Sequence, residues 1–396
     1  MSESKKSTFD HQLLFIAICL VAFGLVMNFS NGNSVRSIQQ LKAVGFGIVG
    51  FCFVYIVPLH LYQKYAYHFL FITVISLLLV FTPVGHEVVS QNHNQTFHRW
   101  IKVGAFQFQP VELAKLGFII YMAHFIVIKQ DHLHSLHRGV FPFLSVLGII
   151  FFLLVLQPDF GSAVLISLIA LGLLWVGGAR LTQILLVLSV AILLIYGWIQ
   201  NDSYKMERLT NFIQAKGSVF GTHYQLEQSL NAIASGGIFG SGIGNSIYKL
   251  GRLPYAHTDF VFSVVSEELG LFGAISLIGL YMLLVWRGIQ IALRVSRIDN
   301  PIIYKPNQSI LTELCPLDLA RFGSLIALGI TAQLGLQAFI NIGVALGALP
   351  TKGITLPFIS YGGSSLMMSI INIGILLNIS NLSSSTEDVS SPNVLV

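Results

Sequence analysis

Ten apolar runs shape this chain, each close to the length that a helix needs to cross a lipid bilayer. Inside lipid, only helices and closed barrels satisfy the hydrogen bonds of the backbone. The composition agrees, because 54% of the residues are hydrophobic and only 10% are charged, too few charges to cover a soluble surface. The sequence therefore predicts an all-α integral membrane protein with about ten transmembrane helices. The predicted spans lie at about 12–28, 41–58, 67–83, 111–128, 140–156, 161–178, 182–199, 261–287, 321–346 and 364–380.

The Lys and Arg residues of short loops indicate the orientation of such a chain. They favour the side of the N-terminus, so we predict that both termini lie in the cytoplasm. Residues 1–382 then form a single membrane domain, with outer loops at 84–110 and 200–260 and a cytoplasmic loop at 288–320. The Ser-rich tail, 383–396, is predicted to be disordered.

Charge and cysteine content disfavour two kinds of function. The net charge of +5 is spread over the loops rather than clustered, which argues against nucleic acid as a partner. The three cysteines, Cys19, Cys52 and Cys315, have neither the spacing of a disulfide framework nor that of metal ligands.

A pair of opposite charges opens the fourth predicted span. Glu112 and Lys115 are three residues apart, so their side chains can meet on one face of the helix. One interpretation is a structural ion pair that lets the charged end of the helix enter lipid. The other is a direct role in substrate binding, because ionisable residues at membrane depth are costly and usually functional.

The outer turn between the fifth and sixth spans, Gln157-Pro-Asp-Phe-Gly161, carries a carboxylate. Asp159 stands where an acidic residue favourably caps the start of a helix. Its place beside other outward-facing groups leaves a functional role open.

The segment before the eighth span carries the strongest candidates for chemistry. Asp259 and Glu267 are eight residues apart and share one helical face, and His257 and Thr258 precede them. A carboxylate that is partly desolvated at a membrane boundary can have its pKa raised into the range of a general base. The alternative is a helix cap at Asp259 and a buried structural acid at Glu267.

Three amides, Gln333, Gln337 and Asn341, recur every four residues along the ninth span. Amides on one stripe of a transmembrane helix usually hold helices together, and we interpret these in that way.

The last outer loop, 349–365, combines the cation of Lys352 with the hydroxyl groups of Ser360 and Ser364. These groups suit a phosphate, although hydroxyl groups and glycines also occur where helices begin.

Four motifs together resemble those of the SEDS (shape, elongation, division, sporulation) membrane proteins, in an order that covers nearly the whole chain. Within that family, residues 245–249 and 349–357 resemble the division branch more than the elongation branch. The four motifs lie at 109–115, at 157–161, at 257–260 with Glu267-Glu268, and at 349–365.

This resemblance implies a peptidoglycan glycosyltransferase that polymerises lipid II, a disaccharide-peptide on undecaprenyl pyrophosphate. The work would take place at the outer face of the bacterial cytoplasmic membrane, at the division septum. The family's essential aspartate falls on Asp259, its outer-loop tryptophan on Trp100 and its acidic turn residue on Asp159, and its charged helix pair is Glu112 with Lys115. The implied partners are lipid II, a class B penicillin-binding protein transpeptidase and other divisome membrane proteins.

Our mechanistic hypothesis is an inverting transfer in which Asp259 deprotonates the acceptor hydroxyl. Lys115, Arg252, Lys352 and a divalent cation, Mg or Mn, are the candidates to neutralise the pyrophosphate. The rival functions are a lipid II flippase or other transporter, which would place polar residues at the membrane midplane, and a division scaffold without catalysis. The candidate groups lie at the outer ends of the spans, which favours the enzyme.

Overall fold

A computed structural model describes residues 10–30, 34–82, 85–89, 96–103, 106–200, 222–297, 316–351 and 353–387. Within these ranges the chain is mostly helical. Single helical turns lie at Gln130–His132, Leu136–Val140 and Tyr248–Leu250. The helices are α1 (His11–Phe29), α2 (Ser34–Ile56), α3 (Leu59–Lys64), α4 (Ala66–Leu79), α5 (Pro110–Ile128), α6 (Phe141–Leu156), α7 (Phe160–Val176), α8 (Leu181–Gln200), α9 (Thr222–Gly236), α10 (Val261–Ser296), α11 (Pro316–Ala345) and α12 (Gly363–Glu387).

Each of the ten predicted spans lies on one of these helices. Among the described residues, seven helices are long and apolar enough to cross a membrane. The other three predicted spans correspond to the shorter apolar helices α4, α7 and α8. The prediction of an all-α polytopic membrane protein is therefore confirmed, with α3 and α9 as additional short helices.

The structure differs from the predicted loops in three places. The outer loop at 84–110 contains an antiparallel sheet of three strands, β1 (Gly85–Val89), β2 (Thr96–Val103) and β3 (Phe106–Phe108), in the order β1-β2-β3. Helix α10 continues to Ser296, nine residues beyond the predicted end of the eighth span. Helix α12 continues to Glu387, into the segment predicted to be a disordered tail, and residues 388–396 lie outside the described residues.

Helix α5 forms the centre of the bundle. Nearly all of its side chains are buried, including the charged ones near its start. It packs against α4, α7 and α11, whereas α12 lies along α2 and α10 lies along α11. Large apolar side chains face outward from the peripheral helices, for example Phe15, Phe53, Phe152 and Trp286, as expected of a surface in contact with lipid.

Helix α10 is broken near its outer end. Gly270 has φ +65° and ψ −162°, so the backbone leaves the helical conformation for one residue. The amides and carbonyls freed by the break bond to residues 237–250, which we call the glycine loop. Ser241 N donates to Glu267 O at 2.9 Å, and Leu271 N donates to Gly237 O at 3.0 Å. The break therefore separates a short outer segment, 261–269, from the rest of α10.

Candidate active site

Asp259 lies just before α10, where three distant parts of the chain meet. Its main-chain N donates to Tyr255 O at 3.1 Å, and Tyr255 has the left-handed φ of +57°. Its main-chain O accepts a hydrogen bond of 2.9 Å from Asn341 Nδ2 on α11. A Cβ placed on Gly353 would lie 3.1 Å from Asp259 Oδ2. The carboxyl group is therefore covered by the last outer loop.

The carboxyl of Asp259 does not cap α10. The residue at the N-cap position is Phe260, and among the described residues no side-chain cap hydrogen bond is found there. Burial raises the pKa of Asp259 from its ordinary value of 3.8 to about 6, partly opposed by a hydrogen bond with Thr258 and by the charge of Arg99. A carboxyl with such a pKa is ionised near neutral pH and basic enough to accept a proton. The alternative of a simple helix cap is therefore wrong for this residue.

Asp159 and Arg99 bring a second acid and a cation to the same place. Asp159, 4% exposed, caps α7 by accepting a 3.3 Å hydrogen bond from Ser162 N. Arg99, on β2, donates to the carbonyls of Gln157 and Pro158 and so ties the sheet to the turn before α7. Arg99 attracts and Asp159 repels the charge of Asp259. For Asp159, the capping role is confirmed, and its charge also acts on the carboxyl of Asp259.

Residues 353–360, which we call the inner loop, enter the bundle without helical structure and are mostly buried. Non-helical backbone at membrane depth must find partners inside the protein. Here the carbonyl groups accept hydrogen bonds from side chains of four different helices. The donors are Asn341 to Ile354 O, Gln337 to Thr355 O, Tyr281 to Pro357 O, Asn28 to Ile359 O and Gln40 to Ser360 O.

Ser360 joins the inner loop to the segment that carries Asp259. Its Oγ donates to Thr258 O at 2.6 Å and accepts from Leu356 N at 2.7 Å. The next residue, Tyr361, donates from its main-chain N to His257 O at 2.8 Å. Ser360 and the main chain of 257–258 therefore hold two loops together, and no role for Ser360 as a phosphate ligand follows from these contacts.

Glu112 and Lys115 form a buried ion pair of 2.8 Å. The pair does more than let a charged helix end enter the bundle, because Lys115 Nζ also donates to Gln337 Oε1 at 3.0 Å. Gln337 in turn donates to Thr355 O and Thr355 Oγ1 of the inner loop at 2.9 and 3.1 Å. Thr355 Oγ1 lies 2.9 Å from Ser365 Oγ. The ion pair therefore supports the inner loop through Gln337.

Ser364 connects the sheet to α12. Its Oγ accepts from Gln109 N at 3.0 Å and lies 3.4 Å from Gln107 O, at the end of β3. Trp100 is half-buried on β2, where it pairs with His86 in the ladder and follows Arg99 in the chain. These two predicted residues stand at the edge of the site.

Glu267 has a structural part in this arrangement. Its carboxylate accepts from Ser246 Oγ and from Ile247 N at 2.7 Å, so it holds the glycine loop. The neighbouring Glu268, fully buried, pairs with Lys249 Nζ at 2.5 Å and accepts from Ser30 Oγ. The alternative of a buried structural acid fits Glu267, because these contacts bind the loop rather than the surroundings of Asp259.

The remaining candidates differ in what the structure says of them. Arg252 is exposed, as expected of a cation that meets a substrate, and Lys352 lies outside the described residues. The Nδ1 atom of His257 is buried without a hydrogen-bond partner among the described residues. Burial and the charges of Arg36 and Lys249 lower its pKa, so His257 is neutral at pH 7.

No group of three or more His, Cys, Asp or Glu side chains that could hold a metal ion occurs among the described residues. Asp159 and Asp259 form a pair of acids whose charges repel each other. No residue is therefore assigned as a metal ligand.

Sequence reasoning underestimated the amides and missed Arg99. Gln337 does join two helices, as interpreted, because it accepts from Lys115 of α5. Gln337 and Asn341 also bond to the inner loop, and Asn341 bonds to Asp259. Their spacing predicted a shared face, whereas their partners depend on the path of residues 353–360, which follow α11 in the chain and turn back into the bundle. Arg99 could have been singled out as the cation next to Trp100.

Comparisons with known proteins agree with this architecture. The family of cell cycle proteins that comprises FtsW, RodA and SpoVE matches residues 6–304 and 314–385. A relative from Idiomarina loihiensis named probable peptidoglycan glycosyltransferase FtsW is 38% identical over 95% of this chain and 88% of its own. One with the same name from Coxiella burnetii is 37% identical over 95% of this chain and 98% of its own.

Two solved structures share the fold over almost their whole length. One, described as showing structural coordination of polymerization and crosslinking by a peptidoglycan synthase complex, superposes with a TM-score of 0.76 at 28% identity, covering 95% of this chain and 98% of that one. The crystal structure of the rod shape determining protein RodA from Thermus thermophilus gives a TM-score of 0.64 at 27% identity, covering 95% and 98%. The predicted resemblance is confirmed, and the FtsW names of the relatives agree with the division branch: the chain belongs to the FtsW/RodA/SpoVE family of cell cycle proteins.

Proposed function

We propose that this protein is a peptidoglycan glycosyltransferase that polymerises lipid II into glycan strands during cell division. The observation that carries the proposal is Asp259, a half-buried carboxyl with a raised pKa, held beside Arg99 and Asp159 where four motifs of the family converge. The relatives named peptidoglycan glycosyltransferase support the same activity.

The proposed reaction is one in-line displacement. The acceptor hydroxyl oxygen attacks the anomeric carbon of the donor sugar, and its proton passes to the carboxylate of Asp259. The bond from the anomeric carbon to the pyrophosphate breaks, and the polyprenyl pyrophosphate leaves with the electron pair. Because the donor linkage is α, a single displacement yields the β linkage of the glycan.

The cations of the site have different parts in this proposal. Lys115 is buried, paired with Glu112 and bonded to Gln337, so its charge is already neutralised and it supports the inner loop. Arg252 is exposed and can approach a pyrophosphate. Lys352 is proposed to neutralise the pyrophosphate in the same way. A divalent cation brought by the pyrophosphate remains part of the proposal, since Mg²⁺ usually binds substrate phosphates with few protein ligands.

A transporter is the less favoured function. Asp259 precedes the first residue of α10, Asp159 caps the start of α7, and Glu112 lies in the first turn of α5. Sites of secondary transporters are usually at the middle of the membrane. The placement of these acids at helix ends supports work at a membrane surface.

The central test is the variant Asp259→Asn, which keeps the size of the side chain but cannot accept a proton. General-base catalysis contributes about 10²- to 10⁴-fold, so polymerisation of labelled lipid II should fall by that factor while folded yield stays normal. A liposome translocation assay with the same protein tests the alternative function, in which the protein moves lipid II across the membrane. A stable Asp259→Asn protein that polymerises at the wild-type rate would falsify the assignment.

The proposed partner is a class B penicillin-binding protein transpeptidase, together with other divisome proteins, in the cytoplasmic membrane at the septum. One solved relative belongs to a peptidoglycan synthase complex, which supports a partner of this kind. We expect the co-purified transpeptidase to raise the rate of polymerisation. Equal rates with and without it would exclude obligate coupling.

The proposed orientation places the site at the outer face. Cys19, Cys52 and Cys315 are removed first, and a single cysteine is introduced at Asn94 or at Asn307. An impermeant thiol reagent should label the first variant in spheroplasts and leave the second unlabelled. Reversed labelling would move Asp259 to the cytoplasmic side and exclude polymerisation outside the cell.

A further inference from the structure

One amide group on α11 joins the backbone of Asp259 to the inner loop. Asn341 is 1% exposed and stands in the last turns of the helix. Its Nδ2 donates to Asp259 O at 2.9 Å and to Ile354 O at 2.6 Å. Both hydrogens of the amide are therefore used, and they join segments almost a hundred residues apart in the sequence.

The orientation of this amide is determined by its partners. Both acceptors are backbone carbonyls, so the flipped amide would place an oxygen against two other oxygens. In the orientation that results, Oδ1 of Asn341 is buried with no hydrogen-bond partner among the described residues. An unsatisfied buried acceptor is costly. The side chain therefore holds two carbonyls in place although its own Oδ1 is left without a hydrogen bond. This favours a positional role over a purely stabilising one.

The carboxyl of Asp259 depends on the same two segments. Gly353, next to Ile354 on the inner loop, lies against the carboxyl, since a Cβ there would be 3.1 Å from Oδ2. Arg99 from β2 and Asp159 from the start of α7 act on the charge of Asp259, and neither belongs to the segments that Asn341 joins. A shift of the Asp259 backbone would therefore change its relation to both groups and open its cover at Gly353.

We propose that Asn341 is a positioning residue, which sets the place of the Asp259 carboxyl relative to the inner loop, Arg99 and Asp159, and takes no part in proton transfer. This inference rests on the proposed function of Asp259. A displacement of about 1 Å at a reacting group can cost about 10²-fold in rate. Loss of the amide donors should therefore lower the maximal rate and leave the binding of lipid II nearly intact.

The test is Asn341→Leu, which has a similar volume and no donors. Per folded molecule, we expect a fall in the maximal rate of about 10- to 100-fold and a KM for lipid II within about two-fold. Water should reach the carboxyl once the inner loop is released, so the acid limb of the pH–rate profile should move to lower pH. If this variant does not fold, Asn341→Ser, whose hydroxyl donates to one carbonyl at a time, is used in its place.

The matched control is Gln333→Met, on the same helix face two turns earlier. Among the described residues, no hydrogen bond from Gln333 to Asp259 or to the inner loop is found, and its Oε1 has no partner. We expect its rate within about two-fold of wild type and an unchanged pH profile. A rate loss per folded molecule equal to that of Asn341→Leu would show that the loss does not depend on the two carbonyl contacts of Asn341, and it would overturn the inference.

Asp259→Asn, measured in parallel, separates the inference from the proposed function. If Asp259→Asn keeps the wild-type rate, both fail. If Asp259→Asn is inactive but Asn341→Leu retains the wild-type rate and pH profile, only the positioning role fails. If Asn341→Leu gives less folded protein but an unchanged rate per molecule and an unchanged pH profile, the positioning role fails as well.

Discussion

The inner loop and the glycine loop support the segment of Asp259 at its two ends, and they are held in different ways. The inner loop contacts residues 257–259, and side chains of distant helices bond to its carbonyls. The glycine loop contacts residues 267–272 through main-chain hydrogen bonds and through the carboxylates of Glu267 and Glu268. The inner loop is held by amide and hydroxyl donors that bond to its carbonyls. The glycine loop is held by two buried carboxylates and by glycines that allow its backbone to lie against that of α10.

This difference predicts different consequences of substitution. In the inner loop, loss of one donor frees one carbonyl and shifts the loop near the carboxyl of Asp259, so activity should suffer more than folding. In the glycine loop, a Cβ on Gly240 would lie 2.2 Å from Glu268 O. An added methyl group there meets rigid backbone, so folding should suffer first.

The largest effect is expected from Lys115→Met, which leaves the buried carboxylate of Glu112 without its partner. Breaking a buried ion pair on one side destabilises a protein by about 3–5 kcal/mol. Thermal unfolding in detergent should show this loss. The double variant Glu112→Gln with Lys115→Met should regain most of the stability, because no buried charge remains.

Polymerisation by that double variant decides what the ion pair is for. The hydrogen bond from Lys115 to Gln337 is absent in it, so the inner loop loses part of its support and the rate should stay below that of wild type. Full recovery of both stability and rate would show that the pair only serves folding, and the inner loop would then differ less from the glycine loop than we infer.

An intermediate effect is expected from Gly270→Ala, in the break of α10. The positive φ of Gly270 is unfavourable for alanine, and its Cβ would lie 2.4 Å from Gly240 N. Strain of this kind costs about 1–3 kcal/mol, so the unfolding midpoint should fall while the rate per folded molecule changes little. A stable variant with a lost rate would contradict the assignment of this loop to folding.

Gly279→Ala is the control on the same helix. A Cβ at Gly279 meets nothing within 4 Å, and alanine favours a helix over glycine by about 0.5–1 kcal/mol. The unfolding midpoint of this variant should be equal to or slightly above that of wild type.

The smallest effect concerns the stability of Asp259→Asn at different pH values. The pKa of Asp259 is about 6 in the folded protein against an ordinary value of 3.8, so the folded state binds this proton more tightly. Stability should therefore fall as the pH rises from about 4 to 6, and above 6 the whole cost of the buried charge is present. Asparagine carries no charge at any pH.

The unfolding midpoint of Asp259→Asn should consequently exceed that of wild type by about 1–3 °C at pH 7.5, and the two should agree at pH 4. The rate of the wild-type enzyme should decline below about pH 6, as the base becomes protonated. A variant less stable than wild type at pH 7.5 would indicate that the Asp259 carboxyl stabilises the fold, contrary to its place beside a helix that it does not cap.

Two acids before helices show how far local sequence patterns can be taken. Asp159 and Asp259 both precede an apolar run, and the same alternative of a helix cap applied to each. Asp159 caps α7, whereas α10 begins at Val261 without a side-chain cap. The distinction depends on the turn at Tyr255 and on cover by Gly353, and neither is visible in the spacing of the residues.

Apolar length and the scarcity of charge were enough to determine the helical bundle, because lipid allows few other ways to satisfy a backbone. The spacing of Glu112 and Lys115 likewise determined their ion pair, since residues three apart on a helix are neighbours. The partners of Gln337 and Asn341 were decided only by tertiary structure. Apart from the carbonyl of Asp259, their acceptors lie on the inner loop. The position of that loop depends on contacts from four helices at once, and no local pattern encodes such a set of contacts.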